Sequence, residues 1–275
     1  SLIGKMLRLY LESQEGEALS LPDIMDLANL EKMNELRARI EALVEDPNTS
    51  EALKPWYRMF CKRPCFHDQY LQTFNRDNVT LVDTEGQGVE RITESGVVVA
   101  GVEYPVDCIV YATGFEVGTG FQRVSGFEIY GRDGLSLSDK WADGIRTLHG
   151  MHIHGFPNCF LMSTIQGGFT VNYPHMLDEV ATHVAHIVGH ALAIEKEMVE
   201  TSAEAEARWV QTILDKGVRG GIIGDETCTP GYYNNEGKPR AHFEQMVSYG
   251  DGPIPFFNLL AKWRDTGEFA GLTID

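Results

Sequence analysis

No apolar run in the 275-residue chain is long enough to span a bilayer, so no membrane-crossing helix is expected. Basic charge is also scarce. Lys and Arg total 23 against 40 Asp and Glu, a net charge of −17 with histidine neutral. Proteins that bind nucleic acid or anionic membranes present a basic face, so both are excluded as partners. Cysteine is sparse: Cys61, Cys65, Cys108, Cys159 and Cys228 are odd in number and scattered. That usage predicts free thiols in a reducing cytosol rather than a disulfide framework. Cys61 and Cys65 have no second pair at ligand spacing and read as ordinary thiols. The opening residues Ser1 to Met6 lack a charged leader before an apolar core, so no signal peptide and a cytoplasmic location are expected. A first residue of Ser fits a processed or partial chain. Repeats and low-complexity tracts are missing too, while 43% hydrophobic and 10% aromatic residues leave ample material for a core.

Nucleotide-binding signatures are equally missing. Gly86-Gln87-Gly88 and Gly118-Thr119-Gly120 have Arg91 and Arg123 where a G-x-G-x-x-G fingerprint needs its third glycine. Neither a Walker A sequence nor a G-x-S-x-G nucleophile elbow occurs.

Among the patterns present, residues 20–47 predict a helix, with Leu30, Met33, Leu36, Ile40, Leu43 and Val44 at steps of three and four. Pro22 suits its first turn and Asp46-Pro47 predicts its stop. Residues 48–77 read as ordered loop with short elements. Val79–Val82 and Val97–Val99 predict short strands, the latter between turns at Glu94-Ser95-Gly96 and Ala100-Gly101. Val106–Tyr111 predicts a strand buried on both faces, the kind found inside an α/β sheet. Asn158–Met162 predicts a second, followed by Gly167-Gly168 and a helix from about Pro174 to Val199. That order places a ligand at the carboxyl edge of an α/β sheet. Further helices are expected at 203–216, holding Trp209, and around Phe256–Asp265.

Four constellations carry possible chemistry. Ala112-Thr113-Gly114-Phe115 ends the first buried strand, where small residues admit a close backbone or flat ligand; a plain strand-ending turn reads equally well. Lys62-Arg63 sets two cations side by side in an acidic protein, either a phosphate site or a solvated pair. Glu179, His183, His186 and His190 share one helix face, and His149, His152 and His154 cluster on a loop. Metal binding is the sharp reading of both, but one straight helix rarely closes a coordination sphere, so packed or surface histidines are expected.

Read in order, these patterns form a longer signature. Cys61-Lys62-Arg63-Pro64, Tyr70–Val79, Leu81-Val82-Asp83, Asp107 and Ala112–Phe115 are followed by Trp141, Gly155–Asn158, Gln166, Trp209, Thr229–Lys238, Trp263-Arg264 and Gly271-Leu272. The run closely resembles Baeyer–Villiger monooxygenases, the class B flavoprotein monooxygenases that use FAD and NADPH. The resemblance implies an α/β fold made of the C-terminal parts of two dinucleotide-binding domains plus a helical subdomain. On that basis residues 1–55 are helical subdomain, 56–105 the last of the NADPH domain and 106–275 the end of the FAD domain with an extended tail. The implied reaction uses NADPH to reduce the flavin and O₂ to form a C4a-peroxyflavin that inserts one oxygen beside a ketone carbonyl, giving an ester or lactone. Oxygenation at nitrogen or sulfur is the alternative within the class, and a degenerate interaction module the alternative outside it. Arg63 stands at the family's catalytic arginine, where a permanent cation would stabilise developing negative charge. Lys62 stands where a lysine contacts the NADPH 2′-phosphate, and Trp209 near the nicotinamide. Gln166 and Ala112–Phe115 fall at cofactor-binding positions, and Gly167, Gly168, Phe169 and Thr170 at the substrate pocket. The family's two G-x-G-x-x-G motifs and the Phe-Gly-His-Trp pattern between them are absent. The resemblance is therefore to the C-terminal half alone. It implies a partner in the missing N-terminal half and little activity for this chain in isolation.

Overall fold

A computed structural model describes residues 1–14, 18–114, 121–217, 228–238 and 241–275. The chain divides into two compact units, one of residues 1–115 with 222–237, the other of 116–221 with 238–275. Helices and small sheets are mixed in both, and every described strand pair is antiparallel.

The first unit opens on α1 (Leu2–Gln14) and α2 (Leu21–Leu43). Ser20 caps α2 by accepting from the Asp23 amide, with Pro22 in the first turn. Ile24, Ala28, Met33 and Ile40 form its buried face, while Leu30 is half exposed. Lys5 Nζ reaches Glu35 at 2.6 Å and Arg8 reaches Glu31 at 2.6 Å, tying α1 to α2. Asp46-Pro47 starts an element instead of stopping one. Asp46 accepts from the Thr49 amide at 2.8 Å and caps α3 (Pro47–Leu53). A short α4 (Tyr70–Thr73) follows.

β1 (Arg91–Ile92), β2 (Gly96–Val99) and β3 (Val102–Pro105) make a meander with β2 in the centre. Ala100 (φ 48°) and Gly101 (φ 78°) form the left-handed two-residue turn that suits a right-twisted hairpin. Gly96 admits the close approach of β3, since a Cβ there would stand 2.3 Å from the Tyr104 carbonyl.

Two expected strands are absent here. Val79–Val82 is irregular. Val106–Tyr111 forms no strand and is not buried: Val110 is 83% and Tyr111 71% exposed. A strand buried on both faces needs hydrogen-bonding neighbours and a layer on each side. Among the described residues none supplies them.

The second unit holds α5 (Phe121–Ser125), α6 (Leu137–Lys140), α7 (Tyr173–Ala193), β4 (Val199–Thr201), α8 (Ala203–Lys216), α9 (Pro253–Thr266) and β5 (Leu272–Ile274). α7 stops six residues before the expected Val199. Glu195 turns left-handed (φ 56°), and Val199 pairs with Ile274 in β4–β5. The Asn158–Met162 segment makes one isolated bridge, from His152 to Phe160, and no strand. Met176 and Val180 of α7, Ala205, Trp209 and Ile213 of α8, and Phe256, Phe257 and Leu260 of α9 share one core. Glu206, 2% exposed, is matched by Lys140 at 2.9 Å and the His154 amide at 2.9 Å, as a buried carboxylate must be.

Candidate active site

The cationic pair lies in the first unit. Lys62 is half-buried and its ammonium donates to the Pro230 carbonyl. Arg63 is exposed, and its guanidinium makes no hydrogen bond or ion pair among the described residues. A planar, permanently charged group free of protein partners can take an anionic oxygen or a phosphate.

One sequence expectation is overturned beside it. Cys61 and Cys228 are joined in a disulfide across 167 residues, while Cys65, Cys108 and Cys159 stay free. Sequence spacing gives no signal for a pair so far apart. The bridge puts Thr229-Pro230-Gly231 against Lys62. Ala112, Thr113 and Gly114 are exposed on irregular chain, without the expected strand before them. Phe115 lies outside the described residues.

In the second unit, Gln166 is fully buried in the left-handed region (φ 57°). Its Oε1 accepts from Thr147 Oγ1 at 2.6 Å and the Thr147 amide at 3.2 Å. Its Nε2 donates to the Ile145 carbonyl at 2.7 Å and the Gln245 carbonyl at 2.9 Å. All four hydrogen-bonding places of the amide are filled, so the side chain has no capacity left for a ligand. Trp209 Nε1 donates to the Gln166 carbonyl at 3.0 Å, and its ring stacks on Tyr249 with centroids 5.5 Å apart. Gly167 and Gly168 are buried. A Cβ on Gly168 would stand 2.7 Å from the Phe256 ring, so the chain passes here only without a side chain. Phe169 and Thr170 then emerge, Phe169 being 41% exposed.

The two histidine clusters merge in part. His183 meets His149 at 6.0 Å and His152 at 6.2 Å between ring centroids, all three rings buried. His186 and His190 instead stack on Phe269. Burial holds the imidazoles of His149 down to about 3 and His152 to about 4. His183 is pushed to about 2, by burial first and then by the two neighbouring histidines and Arg264. They are neutral core residues at physiological pH. Among the described residues no group of three or more potential ligands can hold a metal ion.

No protein-family model matches the chain. Curated relatives do. Neopentalenolactone D synthase of Streptomyces avermitilis is 50% identical over 252 residues, 91% of this chain and 42% of that protein. A Baeyer–Villiger monooxygenase of Stachybotrys chlorohalonatus is 44% identical, over 91% of this chain and 40% of its own length. An FAD-binding monooxygenase of Hypomyces subiculosus is 42% identical, over 94% and 42%. Among solved structures, the polycyclic ketone monooxygenase of Thermothelomyces thermophila superposes with a TM-score of 0.83 at 37% identity, covering 91% of this chain and 41% of that one. A steroid monooxygenase bound to NADP gives 0.73 at 28% identity, over 90% and 46%. The chain thus spans about two-fifths of the length of the curated relatives it matches, in their C-terminal part. Sequence and fold agree that the chain is similar to the C-terminal part of Baeyer–Villiger monooxygenases.

Proposed function

We propose that this chain forms part of an NADPH- and FAD-dependent monooxygenase that uses O₂ to convert a ketone into an ester or lactone, and that Arg63 is its catalytic cation. The observation that carries the reading is the exposed guanidinium of Arg63 beside Lys62, unpaired among the described residues, in a chain 50% identical over 252 residues to neopentalenolactone D synthase. Bound FAD, reduced by NADPH, would supply the activation of O₂. The exposed Arg63 fits that chemistry, since an unpaired cation stabilises negative charge that appears on the reacting oxygen atoms. Lys62 fits the 2′-phosphate of NADPH: its ammonium can exchange one carbonyl contact for a dianionic phosphate. Gln166 and Trp209 act from within the core, holding the turn whose next residues, Gly167 to Thr170, line the substrate side. Ala112 to Phe115 belong to the passage between the nucleotide-binding domains. In the same reading residues 1–55 are a helical subdomain, 56–105 close the NADPH domain and 106–275 the FAD domain.

The test is ketone-dependent NADPH oxidation, with product analysis, by the oxygenase containing this chain. Arg63→Ala is expected to lower turnover by about 10²-fold or more, the scale of losing one preorganised charge-stabilising group. Normal oxygenation by that variant would remove Arg63 from the mechanism.

A further inference from the structure

The segment carrying the cationic pair is held in an unusual way. Among the described residues, the backbone of Lys62–Asp68 makes no backbone–backbone hydrogen bond. Its ties are made by side chains. Cys61 is bridged to Cys228, and the next residue, Lys62, donates to the carbonyl of Pro230. Gly231 also lies against this ammonium, the place of a Cβ being 2.9 Å from Nζ. The opposing stretch is folded around a single amide. Asn234 Oδ1 accepts from Gly231 at 2.9 Å and Gly237 at 3.2 Å, and Nδ2 donates to the Cys228 carbonyl at 3.0 Å. Arg63 follows directly, exposed and without a hydrogen bond or ion pair among the described residues.

We propose that the Cys61–Cys228 disulfide is a redox-controlled positioner of the Arg63 guanidinium. Closed, it fastens the Lys62-Arg63 dipeptide to the preformed 228–237 loop; opened, it leaves that stretch with one ammonium–carbonyl contact. The function of the switch rests on the oxygenase reading given above. The chemistry is exchange with a dithiol reductant. One thiolate of the reductant attacks a bridge sulfur, breaking the S–S bond and releasing the other cysteine, and its second thiolate then attacks the mixed disulfide and releases the remaining cysteine. Two electrons pass to the bridge, two protons finish on the Cys61 and Cys228 thiols, and the reductant leaves as its cyclic disulfide. An oxidised dithiol of the same class reverses the reaction. Cys61 is 2% and Cys228 9% exposed, so exchange follows local opening of the loop. Lys62 and Arg63, adjacent cations, favour the thiolate once it forms.

Trypsin cleavage after Lys62 reads the tether without any cofactor. Non-reducing peptide mapping is expected to recover a linked pair of peptides containing Cys61 and Cys228. Dithiothreitol is expected to speed cleavage roughly tenfold, because the released stretch opens more often. A Cys61→Ser, Cys228→Ser double variant should cleave at the fast rate and ignore dithiothreitol. The oxidised and reduced wild type give the same comparison should that variant fold poorly. In the oxygenase containing this chain, reduction should lower kcat severalfold with little change in the KM for ketone. It should add nothing in an Arg63→Lys background, which a general loss of structure would not spare. A cleavage rate indifferent to dithiothreitol, or no linked peptides, overturns the tether. An equal loss in the Arg63→Lys background overturns the positioning role. No ketone oxygenation by the oxidised wild type overturns the oxygenase reading and the switch's function, and leaves the tether standing on the cleavage result.

Discussion

Gln166 shows how a residue chosen for one role can be held by another. The family resemblance implies a cofactor contact there, and its amide is saturated by Thr147, Ile145 and Gln245. Gln166→Leu would leave these partners buried and unpaired. Stability is expected to fall by about 3 kcal/mol, read from urea unfolding, since each orphaned group costs about 1–3 kcal/mol. The buried histidines make a prediction about pH. His149 and His152 titrate at about 3 and 4 in the folded chain and near 6.5 when unfolded. The unfolded state therefore binds more protons between those limits. Stability is full above about pH 6.5 and is lost as pH falls toward 4, by about 1.4 kcal/mol per unit for each such histidine. His183→Leu should flatten that slope by one histidine's share, measured by denaturation between pH 7 and 4. Neither network was legible in the sequence. The helical spacing of His183, His186 and His190 is visible there, but His149 and His152 reach His183 only through packing.

At the scale of elements, what could be read were segments whose reasons are local. Helix α8 has a Ser202 cap, which accepts from Ala205 at 3.1 Å, and an apolar face of Ala205, Trp209 and Ile213. All of that is written within fifteen residues. Strand β2 and its Ala100-Gly101 turn were legible for the same reason, because the turn adjoins the strand, whereas the pairing with β3 came only from the structure. Val106–Tyr111 was not. Its composition fits a buried strand, but a strand is completed by neighbours elsewhere in a protein, and here Val106, Val110 and Tyr111 are exposed. α1 presents a similar face in Ile3, Leu7 and Leu11. Uncovered apolar surface of this kind drives self-association. Val110→Lys is therefore expected to reduce aggregation of this chain, by light scattering, while leaving its melting temperature within about 1–2 °C, as a surface change should.

For the whole molecule, cofactor binding turns on the missing fingerprints. Pyrophosphate is held at glycine-rich turns opening helices, and the sequence contains no G-x-G-x-x-G. The 275-residue chain alone is expected to leave the visible spectrum and fluorescence of FAD unchanged on titration, whereas an oxygenase containing it should perturb both. No helix among the described residues is long and apolar enough to cross a membrane, in keeping with the composition. The sequence by itself determined the acidic charge, the amphipathic helices, the β2 strand with its turn and the family signature, because each is a matter of residues near one another or in a fixed order. Tertiary structure alone decided which cysteines pair, that Gln166 spends its amide in the core, that three histidines are buried neutral together, and that an apolar strand stays unformed. Those outcomes depend on contacts between residues tens to hundreds of positions apart, and on the layers available to receive a β-strand, neither of which any local pattern encodes.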